Sequence, residues 1–208
     1  MTLLVAAFSV VFGSIVGFLG AGAKLSRWRA LRFLADAYTT IIRGIPDLII
    51  LLLLYFGGTV TLTRLAGHYV EVNGLGAGIF ALGLVFGAYA TEVFRGAIIA
   101  VPRGQIEAAR ALGLRPLMLF RKVMLPQVWR FALPGLGNLW QGLLKNTSLI
   151  SVVGLEELMR KTAITAGATR QPFTFYFAAA LIYLVFTLVS EVVQHQAERR
   201  VKRGFRSG

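Results

Sequence analysis

A few charged and polar side chains stand inside apolar stretches of this sequence, and these are the residues that could do chemistry. Asp47 follows a Gly-Ile-Pro break in one apolar run, Glu92 lies in a second, and Asn146 and Ser148 lie in a third. Carboxylate, amide and hydroxyl groups in an apolar setting are suited to binding a polar solute, and an intramembrane carboxylate is by default a functional candidate. We therefore predict that these four side chains contact a polar substrate.

Structural roles for the same charges remain open at this point. Asp47 could form an ion pair with Arg43, one turn away, or with Lys145. Glu92 and Arg95 are three residues apart, a spacing that favours an ion pair on one helix face. Lys145 is expected to bond a backbone carbonyl or a carboxylate inside the bundle.

No enzyme site is visible in the sequence. The segment GAGAKLS at residues 20–26 lacks the Gly-Lys-Ser/Thr ending of a phosphate-binding loop. The chain has no cysteine, and its two histidines lie in different segments. We expect no catalytic residue, no metal and no cofactor in this chain, and no nucleic-acid partner.

The elements that hold these residues are predicted to be membrane helices. The chain has 208 residues, of which 56% are hydrophobic and only 15% are charged. Apolar runs of about 20 residues are long enough to cross about 30 Å of hydrocarbon. We predict an all-α integral membrane protein that forms one transmembrane domain over residues 1–208, with five spans near residues 2–23, 34–60, 74–100, 131–153 and 172–193.

Three of these spans have distinctive residues. In the first, Gly13, Gly17 and Gly20 should let another helix approach closely. The second is interrupted at Pro46, which cannot donate to the helix ladder. At about 1.5 Å rise per residue, Asp47 is predicted to lie about 22 Å in from the end of the span near Arg32, deep in the bilayer. The fourth is so polar that it must face protein or a wet cavity, and a short helix is expected afterwards at residues 156–163.

The distribution of Lys and Arg predicts the orientation. Of the 22 Lys and Arg residues, fifteen lie in one set of alternate loops and tails, four in the other set and three within spans. The side with more positive charge faces the cytoplasm. The amino terminus is therefore predicted outside, and the carboxyl terminus and the loop near residues 102–130 inside.

That loop contains the most specific pattern of the sequence, EAARALGLRPLMLFRKVMLP at residues 107–126. A plain connecting helix is the other interpretation. The spacing resembles the EAA loop of ATP-binding-cassette importer permeases, with Val123 as the one departure, where the family has Ile. The resemblance implies short helices that dock on a separate ATPase subunit. The residues that it implicates in this coupling are Glu107, Ala108, Ala109, Gly113, Leu125 and Pro126.

The resemblance extends over nearly the whole chain. Residues 37–47, 87–97, 133–138 and 144–149 look like polar amino-acid importer permeases. The glycine-rich segment at residues 20–26 and the Pro46-Asp47 pair look most like the Q-type permease of the histidine/lysine/arginine/ornithine system and its octopine and nopaline relatives. Many polar amino-acid permeases have an apolar residue where Asp47 stands. The resemblance implies a type I importer of a cationic amino acid in a bacterial inner membrane. Its expected partners are a second similar permease, two copies of a cytoplasmic ATPase that bind ATP and Mg, a periplasmic binding protein and lipid.

Other functions remain as alternatives. The substrate could be a neutral or acidic polar amino acid such as glutamine or glutamate. A secondary transporter would explain the intramembrane charges but not the EAA spacing. A structural membrane anchor would leave the polar fourth span and Asp47 unexplained.

Overall fold

The computed structural model describes residues 1–202, which fold into α-helices with no strand in this part of the chain. Arg203 and Arg206 of the predicted basic tail lie outside the described residues. A π-helical turn, Phe120–Met124, precedes α7, and a 3₁₀ segment, Thr147–Val153, follows it. The helices are α1 (Thr2–Lys24), α2 (Arg29–Gly44), α3 (Asp47–Ala66), α4 (Gly74–Ile99), α5 (Arg103–Ala111), α6 (Pro116–Leu119), α7 (Leu125–Asn146), α8 (Leu158–Thr169) and α9 (Pro172–Lys202).

Helix α4 is the centre of the bundle, and α1 packs along it at close range. A Cβ atom added to Gly13 would come within 2.6 Å of the Gly83 carbonyl oxygen, and one added to Gly17 within 2.6 Å of the Ala90 Cβ. Gly20 meets α4 in the same way, at Thr91. The predicted close approach at the three glycines of α1 is confirmed, because any larger side chain would separate the two helices.

The helix directions bring the basic segments to one end of the bundle. Ser9 contacts Ile79 and Lys24 contacts Glu92, so α1 runs parallel to α4. Helix α7 and its 3₁₀ extension run antiparallel to α4, since Gly135 faces Val93 while Ile150 faces Gly78. Helix α9 runs antiparallel to α7, since Gln194 contacts Pro134 while Tyr183, earlier on α9, contacts Thr147 just after the end of α7. The loop after α1, the segment between α4 and α7, and the end of α9 therefore share one end.

A buried carboxylate joins elements at the opposite end. Glu157 caps α8 by accepting a hydrogen bond from the Arg160 backbone amide at 2.8 Å, and it is only 2% exposed. The Tyr183 hydroxyl of α9 donates to the Glu157 carboxylate at 3.3 Å, and the Thr2 hydroxyl of α1 donates to it at 3.5 Å. The first turn of the chain is therefore tied to α8 and α9.

The second predicted span is not one helix. The structure places the break where the sequence indicated it, but α2 ends at Gly44 and α3 begins at Asp47. Ile45 has φ −109° and ψ 137°, the extended conformation that a following proline favours. The depth of about 22 Å predicted for Asp47 rested on continuous helical rise from Arg32, and the break removes that basis.

Other predicted boundaries also shift. The polar fourth span begins as α-helix at Leu125 instead of residue 131 and becomes 3₁₀ at Thr147. The short helix expected at 156–163 is α8, which starts after its cap at Glu157 and continues to Thr169. Helix α9 continues well beyond residue 193.

The apolar character of the helices agrees with a membrane protein. Four helices of the described chain are long and apolar enough to cross a membrane, namely Thr2–Lys24, Asp47–Ala66, Gly74–Ile99 and Pro172–Val201. Helix α7 is not among them, since amide, lysine and glycine residues interrupt its apolar face. The count of five spans therefore stays a prediction.

Candidate functional site

A cavity of about 220 Å³ opens between α3, α4 and α7. This volume lies below the range of about 300–1,000 Å³ that is typical of pockets for drug-sized ligands. It mixes apolar walls with carboxylate, amide and phenol groups, so it suits a small polar solute. Its lining residues are Asp47, Val85, Phe86, Tyr89, Asn138, Leu139, Gly142, Leu143 and Asn146.

The structure brings together two of the four predicted substrate contacts. The Asn146 side-chain amide donates a hydrogen bond of 2.6 Å to the Asp47 carboxylate. Asp47 opens α3 directly after the Pro46 break, and Asn146 is the last residue of α7. The chain therefore places a carboxylate where two helix ends meet at a cavity.

Asp47 does not form either of the ion pairs considered from sequence. Within residues 1–202, no lysine or arginine nitrogen lies within 4.0 Å of its carboxylate. The predicted internal bond of Lys145 is also absent in this part of the chain, where Lys145 is exposed. Among the described side chains the Asn146 amide is the hydrogen-bond partner of the half-buried Asp47 carboxylate, which leaves the negative charge able to attract a cation.

Two further polar residues of the cavity, Asn138 and Tyr89, were not predicted as substrate contacts. Asn138 and Asn146 are eight residues apart on α7 with Gly142 midway, so the helical period places all three on one face. That spacing was available from the sequence. Tyr89 also lines the cavity, with the Arg43 guanidinium carbon 5.1 Å from its ring centroid, and only the packing of α2 against α4 makes this pair visible.

The other two predicted contacts lie outside the cavity lining. The Ser148 hydroxyl donates to the Lys145 carbonyl at 2.7 Å. Glu92 accepts from Lys24 at 2.5 Å and from the Arg95 Nε at 2.8 Å. The ion pair between Glu92 and Arg95 is therefore confirmed, whereas substrate contact by Glu92 or Ser148 stays a prediction.

Lys24 is the centre of this charge network. Its amino group also lies 2.9 Å from the Asp36 carboxylate, and its side chain is only 9% exposed. One lysine thus joins α1, α2 and α4 near the basic end of the bundle. Lys24 thus connects the three helices, and together with Arg95 it balances the charges of the Asp36 and Glu92 carboxylates.

The EAA segment forms a separate surface at that end. Glu107, Ala108 and Ala109 lie on α5, where the first two are exposed and Ala109 is buried. Leu112 and Leu117 beside them are 82% and 68% exposed. Large apolar side chains that protrude into solvent next to a short helix are typical of a protein interface.

The remaining predicted coupling residues shape this segment. Gly113 has φ 72°, and the Leu114 amide donates to the Ala109 carbonyl at 3.1 Å, which ends α5 in a tight reversal. Leu125 and Pro126 begin α7, where proline needs no helical amide. The segment is thus a helix, a glycine turn and a second helical unit that leads directly into α7, the helix that carries Asn138 and Asn146.

Comparisons with known proteins give a consistent result. The family model described as "Binding-protein-dependent transport system inner membrane component" matches residues 9–203. The chain is 51% identical to the nopaline transport system permease protein NocQ of Agrobacterium fabrum, over 100% of this chain and 90% of the relative. It is 45% identical to the histidine/lysine/arginine/ornithine transport system permease protein HisQ of Salmonella typhimurium, over 98% and 91%.

A solved structure shows the same fold. An amino acid ABC transporter determined with histidines matches with a TM-score of 0.83 at 36% identity, over 96% of this chain and 90% of that one. The fold is that of a type I ABC importer transmembrane domain, and a separate ATPase hydrolyses the ATP. The long match to the family model and the similarity to these permeases show that the chain belongs to the family of binding-protein-dependent transport system inner membrane components and is a permease subunit of a bacterial ABC importer.

Proposed function

We propose that this permease imports a cationic amino acid or a related opine, and that Asp47 contacts the cationic group of the substrate. The observation that carries the proposal is the carboxylate of Asp47 at the cavity, held by Asn146 and without a basic partner in residues 1–202. An unpaired carboxylate within a membrane protein is costly unless a cation compensates it. The names of the relatives support the same substrate class.

The proposed assembly has a second, similar permease chain, two copies of an ATPase that bind ATP and Mg, and a periplasmic binding protein. Large apolar side chains are exposed along α1, α3 and α9, and these faces suit contact with lipid and with a second permease. Six residues of the EAA segment would couple the ATPase to α7, namely Glu107, Ala108, Ala109, Gly113, Leu125 and Pro126.

The proposed orientation has the amino terminus in the periplasm and the carboxyl terminus in the cytoplasm. Its support is the common location of the basic segments at one end of the bundle, which the positive-inside rule assigns to the cytoplasm. The EAA segment would then face the ATPase, and α8 would lie near the binding protein.

Uptake of labelled amino acids into proteoliposomes loaded with ATP tests this function. The complex with its binding protein should accumulate arginine, histidine, lysine or ornithine, and accumulation should cease without ATP. Preferential uptake of glutamine or glutamate would support the alternative substrate class and assign Asp47 a structural role.

A further inference from the structure

Arg43 lies beside the same cavity, at the other side of the Pro46 break from Asp47. It is the penultimate residue of α2, and its guanidinium carbon is 5.1 Å from the ring centroid of Tyr89. Tyr89 is itself a lining residue of the cavity. The Tyr89 ring therefore contacts the Arg43 cation and also lines the cavity.

Arg43 and Asp47 do not neutralise each other. Opposite charges four residues apart pair readily on a continuous helix, but here Ile45 and Pro46 are extended and the two residues belong to different helices. In the described part of the chain, Asp47 bonds Asn146, and Arg43 forms no hydrogen bond or ion pair. Asp47 thus lines the cavity and Arg43 contacts a lining residue, Tyr89, and in this part of the chain neither charge is paired with an opposite one.

The contact with Tyr89 gives the guanidinium no hydrogen-bond acceptor, and none of its N–H donors bonds an acceptor in the described part of the chain. The fork geometry of these five N–H donors matches a carboxylate. Paired N–H bonds from arginine to a carboxylate are stronger and more directional than bonds between neutral groups. The group that Arg43 is best suited to bind is therefore a carboxylate.

We infer that Arg43, held over Tyr89, binds the α-carboxylate of the transported amino acid while Asp47 binds its cationic group. This inference rests on the proposed function and adds a residue that selects amino acids over amines. The break at Ile45–Pro46 places the two charges on different helices, which leaves each available to one charged group of a zwitterion. A cationic amine without a carboxylate would use only half of the site.

Equilibrium binding to the detergent-solubilised complex with its ATPase, without the binding protein, tests the inference. The probes are L-arginine and agmatine, which is arginine without its carboxylate, and L-ornithine and putrescine as a second pair. The wild-type complex should bind each amino acid tighter than its amine by about tenfold to a hundredfold, as expected for hydrogen bonds between charged groups. Arg43→Gln should weaken L-arginine binding to the level of agmatine and leave agmatine binding unchanged.

Two variants provide the controls. Arg43→Lys should keep part of the preference, because it retains the charge and loses the fork. Arg32→Gln, on the same helix and exposed, should keep all of it. Co-purification of the ATPase and the elution volume of the complex show whether each variant assembles. The comparison of amino acid with amine binding by the wild type needs no variant.

The outcomes separate this inference from the proposed function. Equal binding of arginine and agmatine by the wild type, or a preference that survives in Arg43→Gln, would overturn the role of Arg43. If Asp47→Asn then still abolished binding of both compounds, the proposed role of Asp47 would stand. Binding of neither compound to the wild type would overturn the cavity as a substrate site, and with it this inference.

Discussion

The Asn146 amide and the Asp47 carboxylate are joined by a hydrogen bond of 2.6 Å across 99 positions of sequence. The bond connects the start of α3 with the end of α7, and α7 in turn begins at the EAA segment. A movement of the coupling segment along the axis of α7 would therefore act on the residue that holds Asp47. This relationship places the candidate substrate contact and the candidate ATPase contact on the two ends of one helix.

Asp47→Asn should reduce uptake of arginine or histidine by about tenfold or more, because a charge-assisted bond to the substrate is lost. The amide keeps the size of the side chain, so assembly with the ATPase should persist. Labelled uptake into proteoliposomes measures the effect. The matched control is Glu71→Gln, which changes an exposed carboxylate in a loop and should transport normally. Undiminished uptake by Asp47→Asn would remove Asp47 from the site.

Gly113→Arg should uncouple ATP hydrolysis from transport. Gly113 has φ 72°, and a residue with a Cβ costs about 1–2 kcal/mol in this conformation. The added side chain would also protrude from the docking segment. The ratio of transported substrate to hydrolysed ATP measures coupling. Gly104→Ala on α5 is the control, because its Cβ would meet open space. A normal ratio in Gly113→Arg would contradict the coupling role.

Gly13→Ala should lower the stability of the complex by about 1–3 kcal/mol, as overpacking does in other proteins. Its Cβ would lie 2.6 Å from a backbone oxygen of α4, so the two helices must separate. Gly22→Ala on the same helix meets no atom within 4 Å and should be neutral. Thermal unfolding in detergent compares the two, and equal melting temperatures would show that α1 and α4 are packed less closely than described.

Lys24→Met should destabilise the complex more than Arg95→Met does. Lys24 is 9% exposed and serves two carboxylates, whereas Arg95 is 40% exposed and serves one. The loss of unfolding free energy in Lys24→Met should fall between the roughly 1 kcal/mol of a surface ion pair and the roughly 3–5 kcal/mol of a buried one, because the carboxylates keep access to water. The same thermal assay gives the order, and the reverse order would assign Lys24 a minor part in holding α1, α2 and α4.

The sequence was most informative where one residue determines local geometry. Pro46 cannot continue a helix, so the break could be predicted, and the small residues of α1 indicated close packing. The consequence of the break was not predicted, although the sequence carried a sign of it: residues 29–44 before the break include charged and polar side chains such as Arg32, Asp36 and Thr40, whereas the residues after Asp47 are nearly all apolar. The residue that caps α8 could not be chosen from the sequence either, because Glu156 and Glu157 are adjacent. The structure distinguishes them, since Glu157 is the buried one.

The candidate site was predictable in part for a similar reason. A carboxylate in an apolar run stands out, and so does a polar cluster that includes Asn146. Their contact depends on how α3 meets α7, which is a long-range packing outcome. Asn138 could have been found from its helical spacing to Asn146. The pair of Arg43 and Tyr89 could not, because nothing local to either residue refers to the other.

The central claim is that this permease serves a cationic amino acid that is bound at Asp47. The most direct test is the ATPase activity of the reconstituted complex with its binding protein, titrated with arginine, histidine, glutamine and glutamate. We predict stimulation by arginine and histidine alone, and loss of that stimulation in Asp47→Asn. Stimulation by glutamine or glutamate would contradict the claim and return Asp47 to a structural role.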